Sequence, residues 1–220
     1  MRAGKFQDLR YIGIFLPQAD AAILAYARAM VYWHRQNGYC GKCGQATESS
    51  HAGHQRQCIN TRCGRIQFPR SDPAIIVLVE HEDACLLGRH VSWPEGVYST
   101  LAGFAEPGES LEDAVIREVW EESRVRVRNA HYHSSQPWPF PASVMLGFHA
   151  SGEYDEPVAD GVELADVRWF QHADMQRLMD NSELILPPGF SISRQLIDAW
   201  NLRRGGEPFR SAMDPKTKDR

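Results

Sequence analysis

The sequence predicts an α+β protein: a mixed sheet with helices on its faces, preceded by a small module that something other than an apolar core must hold. Three observations carry that expectation. From residue 74 onwards, short apolar runs of strand length alternate with longer amphipathic segments. Residues 38–67 are rich in Gly, Cys and polar side chains and show little periodicity. A chain of 220 residues, 43% hydrophobic and 24% charged, can bury a sizeable core in one domain with an accessory module. Wholesale disorder and a fibrous protein are excluded.

The elements follow in order. The start, Met1 to Leu16, holds basic residues and an apolar run, Tyr11–Leu16, read as a strand-like piece. That run is too short for a secretory core, and no small-residue cleavage site follows it. Asp20 caps a helix over Ala21–Gln36, with Ile23, Tyr26, Ala27, Met30 and Trp33 near helical spacing and Gly38 as its stop. Ala74–Val79 and Ala84–Leu87 read as buried strands joined by a tight turn at His81–Asp83. A strand over Val97–Leu101 leads to a loop, Gly103–Gly108, and then to a helix over Leu111–Ser123, with Ser110 and Asp113 in capping-box positions. Val125–Ser135 and Val144–His149 are strands separated by Gln136–Pro141. An acidic loop (Glu153–Asp160), a strand near Val167–Phe170 and helices near His172–Asp180 and Ser191–Arg203 complete the domain. Arg204–Arg220 is polar and expected to fray.

Charge is distributed unevenly. The formal net charge is -4, yet Arg35–Arg70 carries +5 and the remainder -9. The chain as a whole therefore has no general attraction to nucleic acid or anionic membranes. No stretch approaches the roughly 20 apolar residues of a membrane helix, and a cytoplasmic setting with reduced thiols is expected. The cysteines then read as ligands first. Cys40-x2-Cys43, fourteen residues, and Cys58-x4-Cys63 make a four-thiolate pattern suited to tetrahedral Zn²⁺, with Gly41, Gly44 and Gly64 easing the turns. Metal binding and folding would be coupled there. Two disulfides or free thiols are the alternative, and four cysteines make His51 and His54 unnecessary as ligands. Cys85, in an apolar strand, reads as a small buried hydrophobe.

The most informative stretch is Gly103–Val125. Glu118, Glu121 and Glu122 stand at i, i+3 and i+4, within an arc of roughly 100° on one helix face. Three carboxylates so close repel one another unless a cation joins them or some bind protons. Hard divalent ions such as Mg²⁺ or Mn²⁺ suit an all-oxygen set shared with phosphate. Taken alone, the triplet reads equally well as a solvated acidic face. Gly103 and Gly108 let backbone approach a diphosphate, and Arg117 can brace a carboxylate bidentately.

The run Gly103-x5-Glu109-x7-Arg117-Glu118-x2-Glu121-Glu122 resembles the Nudix box, with Arg124 standing where the family has Gly. Arg in a left-handed helix stop costs about 1 kcal/mol. The resemblance implies the Nudix fold, a mixed sheet sandwiched between helices. It also implies a divalent metal on Glu118, Glu121 and Glu122, supported by Arg117. Ser135–Pro141 with Ala142-Ser143 resembles the SQPWPFPxS element of the NADH pyrophosphatase (NAD-capped RNA hydrolase) subfamily. Its three prolines stiffen a loop that presents Gln136, Trp138 and Phe140, rings able to stack on a base and an amide able to read its edge. The alternative is a Pro-rich connection with its aromatics in the core. By the same resemblance Gly103, Phe104, Ser143, Met145 and Phe68 line the substrate pocket, and Glu163 completes the metal site, with Asp160 and Asp166 as competitors.

The family places a zinc ribbon where the four cysteines lie. The expected domains are thus a helical remnant (1–37), the zinc ribbon (38–70), the Nudix domain (71–204) and a flexible tail (205–220). The resemblance spans about Ala19–Arg203 and has no counterpart for most of the family's N-terminal domain. It implies hydrolysis of NAD(H) to NMN(H) and AMP, removal of NAD caps from RNA, and a homodimer. Broader hydrolysis of ADP-ribose or dinucleoside polyphosphates, or a non-catalytic nucleotide sensor, are the competing readings.

Overall fold

A computed structural model describes Lys5 and residues 7–210. The first residues of the N-terminal segment and 211–220 of the expected tail lie outside the described residues. The chain divides into two compact units, residues 1–72 with 137–144, and 73–136 with 145–220. The Pro-rich segment 137–144 thus groups with the N-terminal residues.

In the first unit, α1 (Leu9–Ile12) runs into a 3₁₀ turn at Gly13–Phe15. The expected strand-like piece is therefore helical. Asp8 caps it by accepting from the Arg10 N–H at 2.9 Å, and that local bond decides the conformation of a run too short for a sheet to claim. Next, α2 (Gln18–Gln36) starts three residues before the expected Ala21. Pro17 takes the cap position, and Asp20 falls in the first turn, where its charge opposes the positive helix end. Strands β1 (Thr47–Ser50), β2 (Gln55–Cys58) and β3 (Ile66–Gln67) form a three-stranded antiparallel sheet.

The second unit is built on a six-stranded sheet. Its strands are β4 (Asp72–His81), β5 (Ala84–His90), β6 (Leu101–Phe104), β7 (Val127–Trp138), β8 (Ser143–Gly152) and β9 (Leu164–Gln171). The order is β7-β8-β4-β5-β9, with β6 also paired to β4. Residues β4 and β6 pair antiparallel from Ala74↔Phe104 to Val77↔Leu101, so the strand expected over Val97–Leu101 begins where that expectation ended. Only isolated bridges mark Val97 and Ser99. The period-2 alternation of β4 feeds two cores. Ile75, Val77 and Val79 pack with Ala114, Val115 and Val119 of α3 (Leu111–Ser123), while Ile76 and Leu78 pack with Met175 of α4 (His172–Asp180) and Leu196, Ile197 and Trp200 of α5 (Ile192–Arg203). Helices therefore cover both faces, as expected. The expected tail is tied down as far as Phe209, which is buried and whose N–H donates to Asp198, while the Asn201 amide donates to the Glu207 carbonyl.

Candidate functional site

The helix that carries the acids is fixed at both ends. Ser110 accepts from the Asp113 N–H at 3.1 Å and donates to the Asp113 carboxylate at 2.6 Å, closing a capping box. At the other end Arg124 adopts the left-handed conformation (φ 61°) and its N–H bonds the Trp120 carbonyl at 2.9 Å. Arg therefore fills the glycine-type stop without changing its shape, and its guanidinium lies 5.7 Å from the Trp120 ring.

Arg117 organises the acids. Its Nε and Nη2 donate to both oxygens of Glu109 at 2.8 and 2.9 Å, a bidentate pair. Its Nη1 reaches Glu118 at 2.8 Å and Glu121 at 3.1 Å, and Nη2 also bonds the Phe104 carbonyl at 2.9 Å. One guanidinium thus ties helix, loop and strand β6 together. The Arg117 hydrogen bonds, with an N–H from Glu106, hold the Glu109 carboxyl down to about 2. Burial raises Glu118 above its ordinary range. Glu122 is only 6% exposed; burial first, then the charges of Glu118, Glu163 and Asp160, push it up to about 8. Its Oε2 is buried without a hydrogen-bond partner.

Among the described residues only the four cysteines gather as a group able to hold a metal ion, and the glutamates do not, but two details set these acids apart. A Cβ at Gly103 would lie 1.9 Å from the Glu118 carboxyl carbon, so only glycine lets that carboxylate rest against β6. The unpartnered Glu122 oxygen is a lone pair waiting for a donor or an ion. Of the three candidate acids near β9, Asp160 is spent on the N–H groups of Val162, Glu163 and Leu164, and Asp166 on Tyr98 and Arg168. Glu163 is exposed, and its charge acts on both Glu118 and Glu122.

The expected pocket residues fall on both units. In the sheet unit, Gly103 and Phe104 lie on β6, and Phe104 is 58% exposed, so its ring is free to stack. Met145 is half-buried against the core that holds α5. Gln136 uses both ends of its amide internally, donating to the Phe190 carbonyl at 2.8 Å and accepting from the Ile192 N–H at 3.0 Å. It pins the entry to α5. In the other unit, Phe68 is 59% exposed and Ser143 is buried. The Trp138 and Phe140 rings meet edge to face at 5.1 Å, on either side of the buried Pro139. Sequence reasoning missed the partners of this loop: Arg28 donates to the Pro139 carbonyl at 2.8 Å, and Arg10 and Arg28 each lie 4.8 Å from the Phe140 ring. Nothing in the sequence flags residues 111 positions apart.

The cysteines converge as expected. The sulfurs of Cys40, Cys43, Cys58 and Cys63 lie within 4.8 Å of one another, with none in a disulfide. Cys43 and Cys58 approach to 3.5 Å, and Cys40 and Cys63 to 3.8 Å. Backbone N–H groups of Lys42 and Cys43 lower the Cys40 thiol, while burial raises Cys58. Such a set is balanced by a metal that takes all four as thiolates. Cys85 is fully buried in β5, and burial raises its thiol far above the ordinary range.

Residues 69–186 match the NUDIX domain, more than half of the chain. The chain belongs to the Nudix family. Its residues 35–68 match the NADH pyrophosphatase zinc ribbon domain, which supports structural zinc at the four cysteines of this Nudix protein. It is 43% identical over 197 residues to the NAD-capped RNA hydrolase NudC of Pseudomonas syringae, covering 88% of the chain and 67% of the relative. Identity is 45% over 184 residues with the Pseudomonas putida protein of that name, covering 84% and 63%. With human NAD-capped RNA hydrolase NUDT12 it is 38% over 196 residues, covering 84% and 42%. The chain thus spans between about two fifths and two thirds of the length of these relatives. A NUDIX hydrolase from Nitrosomonas europaea shares the fold, with a TM-score of 0.55 at 20% identity over 78% of this chain and 96% of that one. Among the described residues, no helix is long and apolar enough to cross a membrane.

Proposed function

We propose that this Nudix protein hydrolyses the diphosphate bond of NAD(H) to give NMN(H) and AMP, and removes the NAD cap from RNA. The observation that carries the reading is the buried, unpartnered oxygen of Glu122 on the Arg117-braced helix, close enough to Glu118 and to Glu163 before β9 to feel both charges. Its relatives' names supply the substrate class.

Glu118, Glu121, Glu122 and Glu163 would hold Mg²⁺ or Mn²⁺. Such an ion neutralises phosphate charge and lowers the pKa of water. The chain's own contribution is to position that chemistry. Arg117 spends its donors on Glu109, Glu118, Glu121 and the Phe104 carbonyl, so the carboxylates keep fixed directions before substrate arrives. Gly103 keeps the backbone of β6 open beside Glu118. The exposed ring of Phe104 would stack on the nicotinamide or adenine. Met145 would line the same pocket, and Phe68, Trp138 and Ser143 are proposed as substrate-binding residues on the family resemblance alone. Gln136 would act by holding residues 190–192 in place.

The engaged Gln136 amide also favours a second reading, in which the site reads the diphosphate more than the base and accepts ADP-ribose or dinucleoside polyphosphates. Turnover of NADH at least tenfold above ADP-ribose supports the first reading, and equal turnover supports the second. NAD-capped RNA bound no better than NAD, with no dependence on salt, would remove the cap-hydrolysis part. A cytoplasmic setting and a homodimer are proposed on the family resemblance. Sedimentation equilibrium at twice the chain mass is the result that supports the dimer.

A further inference from the structure

We infer that Arg28 is a positioning residue through which the cysteine module sets the conformation of the aromatic loop, residues 137–144. The inference rests on the proposed role of that loop in substrate binding.

The path is continuous within one unit. Strand β2 carries both Cys58, one of the four clustered cysteines, and Arg56. The Arg56 guanidinium donates to Thr47 at 2.7 Å and to His34 Nδ1 at 3.0 Å. A guanidinium only donates and a carbonyl only accepts, so His34 carries its proton on Nε2, where it donates to the Gly53 carbonyl at 2.9 Å. Thr47 donates to the Asn37 carbonyl at 2.6 Å, and Tyr26 bonds His54. Helix α2 is therefore fastened along its C-terminal half to the β1–β2 hairpin.

Six residues before His34 on that helix, Arg28 meets the loop. Its Nε bonds the Pro139 carbonyl and its guanidinium lies 4.8 Å from the Phe140 ring. Among the described residues no carboxylate forms an ion pair with Arg28. Between the end of β7 at Trp138 and the start of β8 at Ser143, Phe140 N–H bonds the Trp138 carbonyl at 2.8 Å, and Ala142 accepts from Asp72 at 2.7 Å. Prolines remove three further donors. Arg28 thus adds a hydrogen bond from a charged group to Pro139 and shares the Phe140 ring with Arg10, each 4.8 Å away.

The test combines hydrogen exchange with kinetics. In Arg28→Ala, exchange in peptides covering 134–146 should rise about tenfold, while peptides of α3 stay unchanged. Removing the cysteine-bound metal with a chelator should produce the same rise in the otherwise unaltered protein. With NADH as substrate, KM should increase about tenfold at nearly constant kcat, and Arg28→Lys should recover less than half of that loss because it lacks the Nε donor. Unchanged loop exchange in Arg28→Ala, or full recovery with Lys, would overturn the inference. If the unaltered protein does not turn over NADH, the functional reading fails while the exchange result still decides the role of Arg28.

Discussion

The two units achieve order by different means. The sheet unit stacks α3 against one face and α4 and α5 against the other, so β4 alone contributes Ile75 to Val79 to two closed cores. The N-terminal unit buries Trp33, Pro139 and two cysteines as its apolar side chains among the described residues, and leaves Ile23, Leu24, Tyr26 and Val31 of α2 exposed. Burial of area stabilises the first, and a thiolate cluster must stabilise the second. The difference teaches where each unit is vulnerable: one to cavities, the other to loss of an ion.

Removing the metal should have the largest effect. A structural zinc contributes folding free energy on the order of 10 kcal/mol, so a strong chelator, or Cys58→Ser, should melt residues 38–67 while the sheet unit keeps its exchange protection. Protection that persists throughout the cysteine module would show that it folds without metal. Truncation sharpens the contrast. Leu196→Ala, fully buried, should cost about 2–5 kcal/mol in denaturant unfolding, whereas Ile23→Ala, 65% exposed, should stay within about 0.5 kcal/mol. Comparable losses would mean that α2 has a core after all.

Within the sheet unit, Gly103→Ala separates site from scaffold. The clash is with the movable end of Glu118, so that carboxylate should swing aside. Turnover should fall by about 10²-fold with a stability change below about 1 kcal/mol, read by kinetics and melting together. A large stability loss with retained activity would contradict the assigned placement.

Glu109 provides a pH test. Arg117 depresses its carboxyl from 4.5 to about 2, so the unfolded state binds the proton more readily. The resulting stability is fully present above about pH 4.5 and is lost as pH falls towards about 2. Glu109→Gln should flatten that part of the stability–pH curve, and an unaltered slope would exclude the pair as its source. The smallest effect is at the helix stop. Because Arg124 already sits at φ 61°, Arg124→Gly should stabilise by about 0.5–1 kcal/mol in thermal unfolding.

Legibility followed the range of the interactions. Helix α3 was readable to the residue, since Ser110 and the left-handed stop at Arg124 act within one turn of its ends. The cysteine cluster was readable because ligand spacing is itself a geometric rule. Strand β6 was displaced: Gly103 suggests a loop, yet it sits in a strand because the Glu118 carboxylate occupies the space of its missing side chain. The pairing of Glu109 with Arg117 crosses a loop–helix junction that no periodicity describes. Arg28 against Pro139 depends on tertiary packing alone.

The Arg117-braced glutamates are proposed to hydrolyse a dinucleotide diphosphate. Product analysis after incubation with NADH and Mn²⁺ or Mg²⁺, beside Glu122→Gln, tests it most directly. AMP and NMNH should come from the unaltered protein, with a loss of at least about 10³-fold in the variant, which keeps its fold. No turnover with either metal, or equal turnover by the variant, would contradict it.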